Sequence, residues 1–410
     1  MASISFVPLR HRSFSLSLIS SLLSSTGTWM QSVAMGVYLT ETTHNPVWLG
    51  LMMMAAWMPS LIGAPIGGAM SDRKNRQRWI QGNNIIMAVG AGTLAVLEIS
   101  GHLHPIFAVL LAVVEGLASS ASWAAWQSLL PDLVDRDEVL AAVSLSSAQF
   151  NLGRIIGPLL AGVVLAATSP GWCFAANAAS FACVVVLFAF VRTPDREPRV
   201  DPLHLMAEIR HGARAAWSQR ACRHAIIGIG LVAFFLSPFI ALIPAMAIQV
   251  LHAGRAGTPW LVTAQGVGAV LGAITLPALA RRRSRLGVLR ASLLGLMLSL
   301  IAYALAPSLW WSVPGLVLVG YFYIGTLTGL NASVQLNAPA AERSRILSLY
   351  TMSLSIFYPL GSLVQALLVH ALGLRAVTAL GALVGLALAL GIFIGRPQYF
   401  NELAGTDTRP

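Results

Sequence analysis

Long apolar stretches alternate with short polar ones along the whole chain. A membrane-spanning helix needs about 20 predominantly apolar residues, and twelve stretches of the 410-residue chain meet that requirement. The pattern therefore predicts an all-α polytopic membrane protein with twelve transmembrane helices. The predicted spans are residues 14–39, 47–70, 79–99, 105–129, 140–168, 172–191, 222–248, 258–280, 286–306, 311–337, 346–371 and 374–395.

Composition and charge placement support this interpretation. The chain is 56% hydrophobic and 10% charged, whereas soluble domains carry about 25% charged residues. In a soluble protein the net charge of +11 would suggest that the protein binds nucleic acid. Here, with the N-terminus inside, 23 basic residues fall in inner segments and only Arg255 and Arg375 fall in outer loops. Because basic residues concentrate on the cytoplasmic side, we predict that both termini are cytoplasmic, and we expect no nucleic-acid partner.

The sequence contains an internal duplication. Gly68 and Gly272 each lie near the end of an even-numbered span, 204 positions apart, and Gly157 and Gly361 repeat at the same offset. Repeated halves around a midplane site are typical of secondary transporters. The predicted organisation is an N-terminal six-helix half (1–191), a cytoplasmic connecting loop (192–221), a C-terminal six-helix half (222–395) and a cytoplasmic tail (396–410).

Two motifs and two longer segments resemble a known family. The loop between spans 2 and 3 resembles the helix 2–3 signature of the major facilitator superfamily, with Gly68, Asp72, Arg73, Arg76 and Arg78 at matching positions. The run 153–162 resembles the helix-5 antiporter signature of that superfamily. Segments 130–162 and 341–345 resemble the bacterial branch that contains the enterobactin exporter and the transmembrane secretion effectors. The resemblance covers nearly the whole chain.

The resemblance implies roles for both motifs. The 68–78 loop would be a gating loop, which latches the cytoplasmic side and breaks when the carrier opens inward; plain positive-inside topology is the alternative. Gly68 would let helices approach closely, and the arginines would pair with Asp72 or with carboxylates at 131–138. The helix-5 motif would mark an antiporter. Its small-residue face and its proline bend suit an interface between rocking halves, or generic helix packing; the motif residues are Gly153, Gly157, Pro158 and Gly162.

Two ionisable residues lie deep inside predicted spans. Glu115 and Arg154 are each 14 residues from the inner end of their span, which is about 21 Å at 1.5 Å per residue. An intramembrane charge is costly and is a functional candidate by default. We predict a pair in which Glu115 carries a coupling proton, while Arg154 holds Glu115 or an anionic substrate. The alternative is a buried ion pair that only fixes helix register.

The family resemblance also points to a substrate cavity lined by helices 1, 4, 7 and 10. Polar and aromatic residues in those helices are the candidates for substrate contact, and core packing is an equal alternative for each. The candidate residues are Gln31, Trp123, Gln127, Phe235, Asn331 and Gln335.

These features together predict a secondary active transporter of the bacterial cytoplasmic membrane. It would export a small organic molecule (a drug-like compound, a siderophore or another metabolite) by alternating access and proton antiport. We expect a monomer in the lipid bilayer that uses the proton gradient as its energy source. We expect no cofactor, metal or catalytic residue, and therefore predict that the protein is not an enzyme. An uptake carrier or a lipid flippase is the alternative, and a membrane sensor without transport is a remote one.

Overall fold

The computed structural model describes residues 6–73, 75–191, 205–340 and 342–395, without the side chains at 71–73, 205–209, 211–212 and 393–395. The described residues are almost entirely helical and contain no strand. The all-α fold is therefore confirmed. The predicted tail, 396–410, and most of the predicted connecting loop lie outside the described residues.

Besides short 3₁₀ turns, the described residues up to 188 contain seven α-helices. They are α1 (Arg12–Thr43), α2 (Val47–Trp57), α3 (Ser60–Arg73), α4 (Arg76–Ile99), α5 (Pro105–Leu129), α6 (Val139–Ala167) and α7 (Pro170–Phe188). Eight more follow: α8 (Leu205–Ser218), α9 (Arg220–Leu231), α10 (Phe239–Ala245), α11 (Gly254–Arg282), α12 (Arg285–Leu305), α13 (Leu309–Asn337), α14 (Arg343–Leu372) and α15 (Leu374–Gly395).

The described helices agree with the predicted number of membrane crossings. Eleven segments are long and apolar enough to span a bilayer, some of them made of two or more consecutive helices. Helix α1 is not among the eleven, but its 32 residues are more than enough to cross at 1.5 Å per residue. Its many serines lower its hydropathy. Counting α1, the described residues provide twelve helical segments long enough to cross a membrane, which agrees with the prediction.

Two predicted spans are less regular than single helices. The span predicted at 47–70 breaks between α2 and α3 at Met58 and Pro59, because proline lacks the N–H that a continuous helix requires. The span predicted at 222–248 contains two π-helical turns, Val232–Leu236 and Met246–Val250, on either side of α10. Such turns insert an extra residue and re-aim the side chains around them.

Contacts divide the chain into two compact units. One comprises Met1–Thr43 and Ala55–Leu203, and the other comprises His44–Met54 and His204–Pro410. The start of α2 therefore groups with the later part of the chain: Gly50 packs on the backbone of Leu363, and Met53 accepts a 3.3 Å hydrogen bond from Tyr358. The half boundaries at 191 and 222 stay a prediction.

The first unit has a large-residue core at one end of its helices. Phe14 of α1, Ile80 of α4, Trp126 of α5 and Phe188 of α7 are buried in one cluster.

At the other end of these helices, Glu98 of α4 accepts hydrogen bonds from the hydroxyl of Ser169 (2.7 Å) and the backbone N–H of Gly171 (2.8 Å). A carboxylate at a helix N-terminus satisfies free N–H groups and the helix dipole, so Glu98 caps α7.

Candidate functional site

Glu115 belongs to a chain of side-chain amides that joins three helices of the first unit. The amide nitrogen of Gln31 in α1 donates to Oε2 of Glu115 at 2.7 Å. The amide oxygen of Gln31 accepts from the side-chain nitrogen of Asn177 in α7 at 2.8 Å. Asn177 in turn accepts from the hydroxyl of Ser180 at 3.0 Å. We call Asn177, Gln31 and Glu115 the amide chain.

The second carboxylate oxygen of Glu115 is buried and has no hydrogen-bond partner among the described residues. It lies against Gly90 of α4, where an added Cβ would be 2.9 Å from Oε1. The absence of a side chain at Gly90 therefore makes the room that this oxygen occupies. A buried carboxylate with one oxygen unpaired is costly as an ion.

Arg154 is not the partner of Glu115. Its guanidinium lies over the ring of Trp29, 5.4 Å from the ring centre. Both residues contact α1 but at different side chains: Glu115 accepts a hydrogen bond from Gln31, whereas Arg154 lies over Trp29, two positions earlier. Positions two apart on a helix face different sides. The sequence analysis places both residues deep in their spans, but the structure does not bring them together.

Three aromatic rings form a row that begins under Arg154 at Trp29. Phe150 precedes Arg154 by one helical turn, and its ring lies 6.3 Å from that of Trp29 and 5.8 Å from that of Trp123, centre to centre. Phe150 is 37% exposed and Trp123 is 48% exposed. We call Trp29, Trp123, Phe150 and Arg154 the aromatic–arginine cluster. All four residues belong to the first unit.

The antiporter-like motif packs α6 tightly on α1. A Cβ at Gly153 would lie 2.8 Å from Cβ of Ser25, and one at Gly157 would lie 2.6 Å from Cβ of Trp29. Pro158 is buried and Gly162 is partly buried. The close contact of the two glycines is thus with a helix of the same unit, and it sets the position of Trp29.

In the predicted gating loop, one arginine reaches the segment between α5 and α6. Arg76 pairs with Asp132 at 2.6 Å and donates to the backbone carbonyl of Ser128 at 3.0 Å. The backbone N–H of Arg78 donates to the side chain of Asn75, which caps α4. The side chains of Asp72 and Arg73 lie outside the described residues.

The close helix approach expected at Gly68 occurs one residue earlier. A Cβ at Gly68 would meet nothing within 4 Å among the described residues, whereas a Cβ at Gly67 would collide with the backbone of Ala121 in α5. Neighbouring residues of a helix point about 100° apart. The resemblance therefore identifies the right helix, but the structure assigns the contact to Gly67.

The predicted cavity residues fall into both units. In the first unit, Gln31 is buried in the amide chain, while Trp123 and Gln127 are exposed on α5. In the second unit, Phe235 lies in a π-helical turn, with its carbonyl accepting from Gln365 at 2.9 Å. Also in that unit, one amide pair forms within α13, where Gln335 donates to Asn331 at 2.6 Å.

Sequence reasoning did not identify Gly90 as the neighbour of Glu115, Trp29 and Phe150 as members of the aromatic–arginine cluster, or the bond between Asn177 and Gln31. One of these residues carried a usable signal, since Phe150 and Arg154 are four positions apart and therefore share a helix face. The contacts of Gly90 and Asn177 join α4 with α5 and α7 with α1. Contacts between helices that are far apart in the sequence produce no regular spacing from which they could be predicted.

A helical membrane fold with an ionisable network inside its spans is typical of membrane transport proteins. The family model described as "transmembrane secretion effector" matches residues 3–406. The chain therefore belongs to the transmembrane secretion effector family of the major facilitator superfamily, as the sequence motifs indicate.

Curated relatives match over most of their length. The multidrug efflux pump Tap of Mycolicibacterium fortuitum is 24% identical, over 88% of this chain and 90% of its own. The staphyloferrin A transporter of Staphylococcus aureus is 24% identical, over 87% and 89%. The enterobactin exporter EntS of Citrobacter koseri is 25% identical, over 83% and 81%.

Solved structures share the fold at low sequence identity. A bacterial homologue of the human lysosomal transporter Spinster has a TM-score of 0.74 at 15% identity, over 96% of this chain and 97% of its own. The nucleoside transporter NupG has a TM-score of 0.72 at 13% identity, over 93% and 98%. These likenesses concern the fold alone.

Proposed function

We propose that the protein exports a small organic molecule across the bacterial cytoplasmic membrane, by alternating access, in exchange for protons. Relatives named as a multidrug efflux pump and as an enterobactin exporter support export of a drug-like or siderophore-like compound. The observation that carries proton coupling is the buried oxygen of Glu115 without a hydrogen-bond partner among the described residues.

Glu115 is suited to carry the proton because of its surroundings. Its Oε2 has one neutral donor, Gln31, and its Oε1 has none in the part of the chain that the structure describes. A charge buried at this depth costs several kcal/mol, and binding a proton removes it. A conformational change that brings Oε1 into water would release the proton. Movement of the helices and movement of the proton are thereby linked.

The hydrogen-bond partner of Glu115 is Gln31, whereas the sequence predicts Arg154. The amide of Gln31 is held in one orientation because its oxygen accepts from Asn177. If the amide flipped, it would turn an acceptor towards the carboxylate and a donor towards the Asn177 nitrogen. Oε2 therefore stays engaged, and Oε1 beside Gly90 is the oxygen that takes up the proton.

The test is proton movement in everted membrane vesicles. Vesicles that contain the protein are energised, and catecholate siderophores, phenicols, tetracyclines, macrolides and cationic dyes are added one at a time. We expect one class to release protons with wild type and not with Glu115→Gln. Glu98→Gln is the matched control, because this membrane carboxylate caps α7 and an amide oxygen still accepts there.

Each outcome of this assay decides a separate part of the proposal. Proton release with wild type and Glu98→Gln, but not with Glu115→Gln, supports antiport through Glu115. Equal release with all three proteins supports antiport and rejects Glu115 as its carrier. Export of a radiolabelled compound without any proton release rejects antiport and keeps export.

A further inference from the structure

The aromatic–arginine cluster places a cation beside exposed rings on one face of the first unit. Arg154 lies near the middle of α6, with its guanidinium over Trp29. The ring of Phe150, one helical turn before Arg154, contacts the rings of Trp29 and Trp123, and Phe150 and Trp123 are each more than a third exposed. Rings alone on such a face would suit lipid. A guanidinium at this depth does not, because a charge facing hydrocarbon costs several kcal/mol. This face is therefore directed towards water or a ligand.

The four side chains combine two kinds of recognition. A guanidinium has five N–H donors in a rigid plane and matches a carboxylate with two parallel hydrogen bonds. Indole and phenyl rings stack on other planar groups, and such pairs stabilise binding beyond the burial of their area. Trp29 also lies under the guanidinium, and that contact holds the positive charge at one end of the row of rings.

We propose that this cluster is a substrate-binding site for planar aromatic compounds that carry a negative charge. Arg154 binds the anionic group, and Phe150 and Trp123 stack on the ring system. The glycine face of α6 contributes by holding Trp29 in place, because Gly157 leaves no room between the two helices at that point. The inference deepens the proposed export function and rests on it for its physiological meaning.

Binding is measured separately from transport. The full-length protein is purified in detergent and titrated calorimetrically with three probes of similar size. The probe 2-naphthoate is planar and anionic, naphthalen-2-ylmethylammonium keeps the rings and reverses the charge, and decahydro-2-naphthoate keeps the charge but is neither aromatic nor planar. We expect wild type to bind 2-naphthoate at least about tenfold more tightly than the ammonium probe, because only the carboxylate accepts charge-assisted hydrogen bonds from Arg154 and the ammonium group is repelled by it. The saturated acid should bind more weakly than 2-naphthoate.

Three variants assign the binding to the cluster. Arg154→Gln should weaken 2-naphthoate binding by about tenfold or more, and Arg154→Lys should recover part of the loss because it keeps the charge without the planar fork. Phe150→Leu should weaken 2-naphthoate more than the saturated acid. The matched controls are Arg255→Gln and Trp172→Leu, which lie outside the cluster, and thermal unfolding verifies that every variant is folded.

The outcomes separate this site from the export proposal. The site is rejected if wild type does not bind 2-naphthoate, if the ammonium probe binds as well, or if Arg255→Gln weakens binding as much as Arg154→Gln. Binding of 2-naphthoate that depends on Arg154, with no movement of any compound in vesicles, keeps the site and rejects export. Export of a compound that does not compete with 2-naphthoate keeps export and rejects the site.

Discussion

At the scale of single residues, the amide chain is the most tightly specified feature of the first unit. Gln31 uses its donor on Glu115 and its acceptor on Asn177, so one side chain satisfies two buried partners. Removing a member of such a chain leaves the others buried without a partner, at about 1–3 kcal/mol for each group.

Gln31→Leu tests this arrangement. The change keeps the approximate volume but removes the donor to Glu115 and the acceptor for Asn177. We expect the free energy of unfolding to fall by about 2 kcal/mol or more, measured by reversible denaturation in detergent. Gln127→Leu is the control, because that side chain is exposed on α5 and its replacement should change stability by less than about 0.5 kcal/mol. Equal losses in the two variants would contradict a satisfied buried chain.

The pair between Arg76 and Asp132 gives a second prediction at this scale. The two side chains are only 12% and 21% exposed, so solvent screens them less than a surface pair. A double-mutant cycle with Arg76→Ala and Asp132→Ala should yield a coupling energy of about 1–3 kcal/mol. The comparison cycle uses Arg10 and Asp135, which are 61% and 60% exposed and should couple by less than about 1 kcal/mol.

At the scale of helices, close packing depends on which residue of a motif faces the neighbour. Gly67→Ala would drive a methyl group into the backbone of Ala121 and separate α3 from α5. We expect a loss of about 1–3 kcal/mol from this overpacking. Gly68→Ala meets open space among the described residues and should be neutral or slightly stabilising, because alanine favours a helix. Thermal unfolding of the two variants measures the difference, and a larger loss at Gly68 would contradict the described packing.

Helix positions follow from the sequence more closely than helix neighbours do. The predicted span 105–129 coincides with α5, Pro105–Leu129, because apolar length and an N-terminal proline are local properties. The depth of Glu115 also follows from the rise per residue. Its partner does not, because the rotation of α5 and its choice of neighbours depend on every helix packed around it. Consecutive helices invite the pairing of Glu115 with Arg154, but α6 packs on α1 instead.

At the scale of the whole molecule, the duplication is visible in the helix pairs of each unit. Helices α5 and α13 begin at Pro105 and Leu309, which is the 204-residue offset of the sequence repeat. Within its own unit, α3 packs on α5 through Gly67, and α11 packs on α13 through Gly268 and Gly272. The same pair of helices thus packs closely in each unit, although the contacting glycines are one position out of register, because Gly67 corresponds to Leu271 and Gly68 to Gly272 at this offset.

Orientation in the membrane is a prediction for the whole chain. After the three native cysteines (Cys173, Cys183 and Cys222) are replaced, Arg10→Cys and His102→Cys each provide a single reactive thiol. We expect a membrane-impermeant maleimide to label position 10 in everted vesicles and position 102 in right-side-out vesicles, since basic residues mark the cytoplasmic side. The opposite pattern would invert the topology, and with it the direction of the proposed export.

The amide chain also constrains how this protein can change over time. Its hydrogen bonds have a direction, because Asn177 donates to Gln31 and Gln31 donates to Glu115. A substitution that replaces a donor by an acceptor, or an acceptor by a donor, breaks one of these hydrogen bonds. A compensating substitution at the neighbouring position can restore it. If the three positions are randomised together and functional chains are selected, the surviving combinations should be correlated. The three positions would then change together during evolution, not one at a time.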